Sequence, residues 1–383
     1  MKIAMVGHKR VPSREGGIEI VVEELSTRMV ALGHEVTLYN RGGHHVSGKE
    51  FDGKKLDEYK GVKLVTVPTI EGKGLAALTA SFFGAIRSAF GGYDVVHFHA
   101  EGPCAFMWLP KLFGKRCVAT VHGLDWQREK WKGGFGSKFI HYGEKMAVKK
   151  ADEIIVLSES VKEYFQKEYS RKTIVIPNGV NKPEVVEAKE IKDRWGLEKD
   201  SYILFLGRIV PEKGLKYLAE AYEELNTDKK LVIAGGASDT DEFVKELKEI
   251  GQKSHKDGNE VIFTGFVSGR TLDELYSNCY IYCLPSDLEG MPLSLLEAMS
   301  YGDCCVVSDI DECASVVDDK AVVFPRGNVE KLHEALQELC DRPETVEKYK
   351  IEAAEFILKK YGWDDVVERT IEEVYKQGEI KNG

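Results

Sequence analysis

The chain has 383 residues, of which 43% are hydrophobic and 30% are charged, and its net charge is −10. This length suits two domains of ordinary size. The composition is that of a globular protein and excludes disordered, fibrous and membrane-spanning classes.

Short β-branched runs alternate with helical patterns through the first half. Each run is apolar nearly throughout, which is typical of strands buried on both faces of a parallel sheet. The predicted strands are Ile3–Val6, Glu35–Tyr39, Lys63–Val67, Val95–Phe98, Cys117–Val121, Glu153–Leu157 and Thr173–Ile176. The alternation predicts a doubly wound α/β domain. Because the first run leaves no room for an apolar signal segment, we expect a cytoplasmic protein.

The segment 177–183 breaks this rhythm with two prolines and an Asn-Gly, so it is the predicted interdomain linker. A second α/β series follows, and a final amphipathic helix is predicted from about Trp363 to Lys376. The strands of the second series lie near Ile203–Leu206, Leu231–Ala234, Val261–Phe263, Ile281–Leu284, Cys305–Val307 and Ala321–Phe324.

A loop of ten residues follows the first strand and ends in Gly16 and Gly17, where a helix is predicted to begin. A G-x-G-x-x-G directly after the strand is missing, and the second strand ends without an acidic residue, which argues against a dehydrogenase. Glycine at a helix start still lets backbone N–H groups approach an anion. A simple turn is the alternative interpretation of this pair.

Two cations follow the first strand of the second half. Arg208 and Lys213 are five residues apart, and a helix is predicted at Gly214 or just after it. The carboxyl end of a strand is where α/β sheets hold ligands, and a guanidinium with an ammonium can bind phosphate oxygens there. Two solvated cations on a loop are the alternative.

Two carboxylates lie about 80 residues further on. Glu289 is in a predicted loop and Glu297 in the helix after it, with Pro292 expected at the first helical position. Carboxylates accept hydrogen bonds from sugar hydroxyl groups, which makes them suitable readers of a hexose and a ribose.

Histidines end two strands of the first half. His122 follows the strand at 117–121, and its position suits the substrate edge of the sheet, although a core histidine is the alternative. His97 and His99 alternate on one strand and could suggest a metal, but no third ligand has usable spacing. The eight cysteines form no CxxC pair, and we expect buried, reduced thiols.

Taken together, these residues resemble glycosyltransferase family 4, whose members have the two-domain GT-B fold. The resemblance runs over the whole chain and is carried by Gly-His-Glu-Val at 33–36, Pro-Asn-Gly-Val at 177–180, Gly-Arg and Glu-Lys-Gly within 207–214, Ile-Ala-Gly-Gly at 233–236, and the E-x7-E of 289 and 297. The segments around 11–25 and 122–131 are similar to a subgroup of bacterial cell-surface polysaccharide enzymes that includes rhamnosyltransferases.

The resemblance implies an α/β chain with two Rossmann-like parallel-sheet domains that face each other across a cleft. Residues 1–177, with the C-terminal helix at about 361–383, would form the acceptor-binding domain. Residues 183–360 would form the domain that binds the nucleotide sugar.

The resemblance also implies roles for individual residues. The catalytic candidates are His122, Arg208, Lys213 and Glu289. The donor-binding candidates are Gly16, Gly17, Arg208, Lys213, Gly235, Phe266, Val267, Glu289, Gly290, Met291, Pro292, Leu293 and Glu297. The acceptor-side candidates are His99, Asp125, Trp126 and Arg128.

The expected reaction is a retaining transfer of a hexose from a nucleoside diphosphate sugar to a growing cell-surface polysaccharide or lipid-linked (polyprenyl) glycan. No metal and no cofactor is expected, because paired cations can do the work of Mg²⁺. No nucleic-acid partner is expected. The alternatives are a nucleotide-sugar epimerase or hydrolase of this architecture and a non-catalytic nucleotide-sugar-binding protein.

The first half is basic, with 27 Lys and Arg against 20 Asp and Glu in residues 1–180, whereas residues 181–383 carry 26 against 43. This asymmetry favours an anionic partner such as lipid headgroups or a pyrophosphate-linked acceptor, and drift of surface charge is the alternative. A basic and aromatic stretch could make a peripheral contact with the inner face of the cell membrane, or pack inward instead. It comprises Arg128, Lys130, Trp131, Lys132, Phe135, Lys138 and Phe139.

Overall fold

The structure is a computed structural model that describes residues 1–44, 55–72, 74–127, 134–236, 241–253 and 260–378. The chain divides into two compact units. The first unit comprises Met1–Gly179 and Trp363–Gly383, and the second comprises Val180–Gly362. Each unit is built around one sheet.

The described residues of the first unit form eight strands and six α-helices before the chain enters the second unit. In chain order they are β1 (Lys2–Val6), α1 (Gly17–Ala31), β2 (Glu35–Arg41), β3 (Glu58–Tyr59), β4 (Val62–Val67), α2 (Leu75–Phe90), β5 (Val95–His99), α3 (Glu101–Cys104), α4 (Trp108–Leu112), β6 (Arg116–Val121), α5 (Gly134–Lys150), β7 (Glu153–Val156), α6 (Glu159–Tyr169) and β8 (Ile174–Val175). The strand order across the sheet is β3-β4-β2-β1-β5-β6-β7-β8.

In the second unit, the part of the chain that the structure describes forms six strands and eight α-helices. They are α7 (Glu190–Trp195), β9 (Tyr202–Leu206), α8 (Leu215–Glu223), β10 (Lys230–Ala234), α9 (Asp241–Lys253), β11 (Val261–Gly265), α10 (Arg270–Asn278), β12 (Ile281–Leu284), α11 (Leu293–Tyr301), β13 (Cys304–Ser308), α12 (Asp311–Val317), β14 (Val322–Phe324), α13 (Val329–Asp341) and α14 (Pro343–Lys360). The strand order is β11-β10-β9-β12-β13-β14, and every described pairing is parallel.

The predicted doubly wound architecture is confirmed in both units, and the ends of all the predicted strands are within two residues of the observed ends. The central strands have little or no exposed surface, as expected for strands covered on both faces. One strand was not predicted. The two-residue β3 pairs antiparallel with β4 at the sheet edge, and Glu58-Tyr59 is too short and polar to give a strand pattern.

The direction of winding reverses at one point in each sheet. In the first unit the chain proceeds outward from β1 through β2 and from β5 through β6, so the reversal lies between β1 and β5. In the second unit it lies between β9 and β12. Loops diverge there and leave a crevice at the carboxyl ends of the strands, which is where open α/β sheets bind ligands.

The C-terminal segment completes the first unit. The helix α15 (Trp363–Arg369) packs on α1, and the side chains of Val366, Val367, Ile371 and Val374 are buried as predicted. The predicted single helix is wrong in one respect, because a π-helix (Thr370–Tyr375) and a 3₁₀ turn (Lys376–Gly378) follow α15. The hydrogen bonds that Arg116 donates to the carbonyl of Val374, and that Tyr375 makes with His97, fix this wider turn on the sheet.

A buried carboxylate fixes the start of α7 in the second unit. Glu274 accepts hydrogen bonds from the backbone N–H groups of Lys189 (2.8 Å) and Ile191 (3.1 Å) and from Arg270 Nε (3.2 Å). Burial alone would raise the pKa of Glu274, but these donors outweigh it and hold the pKa below its ordinary value. The charged form is therefore the one that stabilises the fold.

We expect Glu274→Gln to lower the free energy of unfolding of the second unit by about 2 kcal/mol at pH 7, because the amide is uncharged and cannot satisfy all three donors. A carboxylate with a lowered pKa contributes stability that is lost as the pH falls through the folded pKa. The difference from wild type should therefore shrink below about pH 4 in urea titrations of the intact chain.

Glu338→Gln is the matched control, since this exposed carboxylate forms a surface ion pair with Arg342. We expect a change below about 0.5 kcal/mol for it. A Glu274→Gln difference that persisted in full at low pH would contradict the role of the charge.

Candidate active site

The loop after β9 lies against the end of β12 in the second unit. Arg208 follows the strand, and a 3₁₀ turn (Pro211–Lys213) ends at Gly214. Gly214 has φ +68°, and a Cβ there would lie 1.9 Å from the carbonyl oxygen of Pro285. Only glycine permits this approach, which brings Lys213 to the point where the winding reverses.

Lys213 forms an ion pair with Glu289. The spacing of the two motifs in the sequence could not predict this contact. Lys213 Nζ lies 2.5 Å from Glu289 Oε1, and the two side chains are 13% and 8% exposed. Ser286 Oγ donates to the same oxygen at 2.7 Å. Both hydrogen bonds are to Oε1, so among the described residues Glu289 Oε2 is left to accept from a ligand.

The segment 290–293 leads into α11, and its four residues are buried. The expectation that Pro292 occupies the first helical position is wrong. Its extended backbone (ψ 104°) makes it the N-cap, and its carbonyl accepts the first helical hydrogen bond, from Leu295. The positive end of the α11 dipole therefore lies one residue later than predicted, next to Glu289.

Glu297 lies about one turn into α11 and accepts a hydrogen bond from a tyrosine. The Tyr276 hydroxyl donates to Glu297 Oε2 at 3.1 Å, and the Tyr276 ring stacks on Tyr301 with centroids 5.2 Å apart. Burial raises the pKa of Tyr276 well above its ordinary value, and the Glu297 charge raises it further. The phenol therefore stays protonated and acts as the hydrogen-bond donor to Glu297.

The donor-binding candidates Gly235, Phe266 and Val267 lie where three adjacent strands end. Gly235 follows β10, and a Cβ on it would lie 1.8 Å from the carbonyl oxygen of Gly207. Its N–H donates to the carbonyl of Gly265 at 2.9 Å. Phe266 and Val267 follow β11 directly. Here the backbones of the three strand ends come close together, at the same edge as Lys213.

In the first unit, Gly16 is the N-cap of α1 and Gly17 its first residue, as predicted. Carboxylates surround this helix start. Glu19 Oε1 accepts from the N–H of Lys9 at 2.8 Å, and Arg10 Nε pairs with Glu15 at 3.0 Å. An anion binding to the Gly17 N–H would have these two acids as neighbours, with Arg10 offsetting one of them.

His8, which sequence reasoning passed over, follows β1 at the reversal point. Asn40 is oriented by Val11, whose N–H donates to Asn40 Oδ1 and whose carbonyl accepts from Nδ2. Asn40 Oδ1 must therefore accept from His8 Nε2, at 2.9 Å. Burial lowers the pKa of His8 to about 4, so the ring is neutral at neutral pH and its buried Nδ1 is an unprotonated acceptor.

His97, His99 and His122 form a stack at the ends of β5 and β6. The rings of His97 and His99 are 4.2 Å apart, and His99 Nδ1 lies 3.1 Å from His122 Nε2. Both nitrogens of His97 are engaged, by the Tyr375 hydroxyl and by Thr120 Oγ1, each at 2.7 Å. Burial lowers the pKa of His97 to about 3 and that of His99 well below its ordinary value. Neither ring supplies positive charge.

The other acceptor-side candidates, Asp125, Trp126 and Arg128, follow β6 in the chain. Asp125 and Trp126 belong to a 3₁₀ turn (Asp125–Gln127), where the Trp126 ring stacks on His141 with centroids 5.0 Å apart. Arg128 lies outside the described residues. So do Lys130, Trp131 and Lys132, together with the side chain of Phe135.

Two residues of the basic and aromatic stretch are described. Lys138 is exposed, and the half-buried Phe139 ring contacts Phe106 at 6.0 Å between centroids, which fits the inward-packing alternative at that position. None of the helices in the described ranges combines the length and the apolar character that a membrane crossing requires.

Within the described part of the chain, no three His, Cys, Asp or Glu side chains are arranged to hold a metal ion. The functional candidates that sequence reasoning missed share one signal, which is their place at a point where the winding reverses. They are His8 after β1, Glu101 after β5 and Ser286 after β12.

The sequence matches two families. Residues 15–182 match the family described as Glycosyltransferase Family 4, and residues 187–356 match the family described as Glycosyl transferases group 1. The two matches together span most of both units.

Three curated relatives are glycosyltransferases or sugar-phosphate synthases. An uncharacterized glycosyltransferase of Methanocaldococcus jannaschii is 27% identical over 98% of each chain. The alpha-maltose-1-phosphate synthase of Mycolicibacterium smegmatis is 25% identical over 98% of this chain and 99% of its own. The UDP-Gal:alpha-D-GlcNAc-diphosphoundecaprenol alpha-1,3-galactosyltransferase of Escherichia coli is 31% identical over 57% of this chain and 58% of its own.

Solved structures show the same fold. Sucrose-phosphate synthase from Thermosynechococcus elongatus superposes with a TM-score of 0.82 at 20% identity, over 100% of each chain. Anabaena HepE, solved with UDP and glucose, superposes with a TM-score of 0.79 at 16% identity, over 98% of this chain and 99% of its own. The chain therefore belongs to glycosyltransferase family 4, has the GT-B fold, and is a glycosyltransferase.

Proposed function

We propose that this glycosyltransferase moves a hexose from a nucleoside diphosphate sugar to a polysaccharide or lipid-linked glycan, with retention of configuration and without a bound metal. The observation that carries the proposal is the Lys213–Glu289 pair at the reversal point of the second unit. A cation and a carboxylate in contact provide one group for a phosphate and one for a sugar hydroxyl.

The geometry of this pair supports binding more than it supports fold stability. A nearly buried ion pair contributes little net stability, because desolvation offsets the attraction between the charges. Lys213 has three N–H donors and uses one on Glu289, so two can bind phosphate oxygens. Glu289 Oε2 can accept from a sugar hydroxyl at the same time.

The donor class is supported by two further features. Glu297, positioned by Tyr276, is a carboxylate suited to the two hydroxyl groups of a ribose. Anabaena HepE, which shares the fold, was solved with UDP and glucose. The E. coli relative names a diphosphoundecaprenol acceptor, and such an acceptor fits the basic balance of residues 1–180 here.

The proposed reaction proceeds on one face of the sugar. The bond between the anomeric carbon and the diphosphate oxygen breaks while the acceptor oxygen forms a bond to the same carbon from the same side. The acceptor proton passes to an oxygen of the leaving diphosphate. Lys213 and Arg208 would offset the charge that develops on this diphosphate, which is the contribution that Mg²⁺ makes in other transferases.

We expect Lys213→Ala to lower kcat for sugar transfer by about 10²-fold or more, because it removes a charge that stabilises the leaving diphosphate. The unfolding midpoint should also fall, because removing Lys213 leaves the nearly buried Glu289 carboxylate without its cation, so kcat is compared at a temperature well below both midpoints. Steady-state kinetics with a panel of nucleotide sugars and a thermal melt measure the two effects.

Lys216→Ala is the matched control for the loss of a lysine in the same region. Lys216 is about half exposed and pairs with Glu246 on the surface. Its kcat should be that of wild type. Equal losses in both variants would contradict a specific role for Lys213, and rapid release of free sugar by the wild type without acceptor would identify a hydrolase instead.

We also expect transfer to proceed at an unchanged rate in excess EDTA, because the proposed charge stabilisation comes from side chains. The measurement compares initial rates with EDTA, with Mg²⁺ and with neither. A strict requirement for Mg²⁺ would overturn the metal-free part of the proposal and leave the transferase assignment standing.

A further inference from the structure

Two glutamates in the first unit are buried without exposed surface and have no role in the reaction proposed above. Glu101 begins α3 directly after β5, and Glu144 lies in α5. The two helices pack so closely that a Cβ on Gly143 would lie 2.0 Å from the carbonyl oxygen of Glu101. The close packing of the two helices brings the carboxyl groups of Glu101 and Glu144 within hydrogen-bonding reach of each other.

The hydrogen bonds around the pair require one proton between them. Glu144 Oε1 accepts from the hydroxyl groups of Tyr164, at 3.0 Å, and Tyr169. Glu101 Oε2 accepts from the N–H of Asp125 at 3.0 Å. Among the residues that the structure describes, no donor reaches one buried oxygen of each carboxyl group, Glu101 Oε1 and Glu144 Oε2. A single shared proton satisfies both oxygens, whereas two buried carboxylates would repel each other.

The proton belongs to Glu101, because Glu144 already accepts from two phenols and is the better carboxylate. The surroundings agree, since burial raises the pKa of Glu101 well above its ordinary value and the charges of Asp125 and Glu144 raise it further. The titratable groups that face the pair are Asp125 on the 3₁₀ turn, His141 and Glu144 on α5, Tyr164 and Tyr169 on α6, and Cys104 on α3.

Glu101 connects two strand ends at the edge where the candidate histidines lie. It follows Ala100, whose φ of +73° is rare for a residue with a side chain and costs about 1–3 kcal/mol. Glu101 Oε2 accepts a hydrogen bond from the N–H of Asp125, which lies three residues after His122. The neighbouring His99–His122 contact joins the same two strand ends. The loop that carries His122 is thus fixed to β5 at two points.

We propose that Glu101 is a positioning residue that acts in its protonated form, sharing a proton with Glu144 and holding the His122 loop for sugar transfer. This inference rests on the proposed function and on the catalytic role that the family resemblance implies for His122. Loss of the shared proton at alkaline pH leaves two facing carboxylates, which pushes Glu101 away from Asp125 and releases the loop.

The test compares the pH profiles of kcat for wild type, Glu101→Gln and Glu101→Ala. Glutamine reproduces the protonated acid at every pH, because its amide donates to Glu144 and its oxygen accepts from Asp125. We expect Glu101→Gln to stay within about twofold of wild type at neutral pH and to keep its rate where the wild-type rate falls on the alkaline side. Glu101→Ala should lose about tenfold or more in kcat with little change in donor KM.

Two results would overturn the inference. If Glu101→Gln is as impaired as Glu101→Ala, the residue acts as a carboxylate. If wild type and Glu101→Gln lose activity along the same alkaline limb, the shared proton does not control the loop.

Thermal unfolding of the intact protein separates this inference from the proposed function. A carboxyl group with a raised folded pKa stabilises the fold at low pH and loses that contribution as the pH rises. Wild type should therefore become less stable than Glu101→Gln at alkaline pH, while Glu274→Gln should differ from wild type on the neutral side and converge with it in acid. Parallel curves for wild type and Glu101→Gln would refute the shared proton even if no nucleotide sugar proves to be a substrate.

Discussion

The approach of backbones at the carboxyl ends of parallel strands is the constraint on which both candidate sites depend. In each unit a glycine lies where any side chain would collide with a neighbouring strand end. Gly7 would place a Cβ 2.2 Å from the carbonyl of His99, and Gly214 would place one 1.9 Å from that of Pro285. Because these glycines let the strand ends meet, side chains from different loops are brought together at the points where the winding reverses.

Glu274, Glu289 and Glu101 have little or no exposed side-chain surface, but each has a different set of partners. These partners decide the chemistry of each carboxyl group. Glu274 is surrounded by donors and remains charged, which serves the fold. Glu289 has one cation and a remaining oxygen, which suits a ligand. Glu101 faces another carboxyl group and keeps a proton, which serves the geometry of a loop. Burial alone raises a carboxyl pKa, so the donors within reach determine whether the charge survives.

The histidines of the first unit show the same dependence on surroundings. His8, His97 and His99 lie at the substrate edge of their sheet, yet burial keeps all three rings neutral at neutral pH. They can orient hydroxyl groups and one another but cannot balance the charge of a diphosphate. Among the side chains, Lys and Arg can supply the positive charge that would offset a diphosphate, which agrees with the roles proposed for Lys213 and Arg208.

The sequence by itself determined the layered α/β architecture, because strands buried on both faces must be apolar along their whole length. It also predicted Lys213 and Glu289 between a strand and a helix and Glu297 within a helix, and these are their positions in the structure. The N-cap position of Pro292 and the π-helix at Thr370–Tyr375 lay beyond it, because helix ends depend on hydrogen bonds that local pattern does not specify.

Only the tertiary structure decided which distant groups meet. Glu101 and Glu144 are 43 residues apart, and His97 and Tyr375 are 278 apart, and nothing in their local sequences marks them as partners. Their contacts follow from the order of strands in the sheet and from the packing of α3 on α5. Both depend on long-range contacts that no local segment specifies. Protonation follows the same rule, because a carboxyl group keeps or loses its proton according to neighbours that folding brings to it.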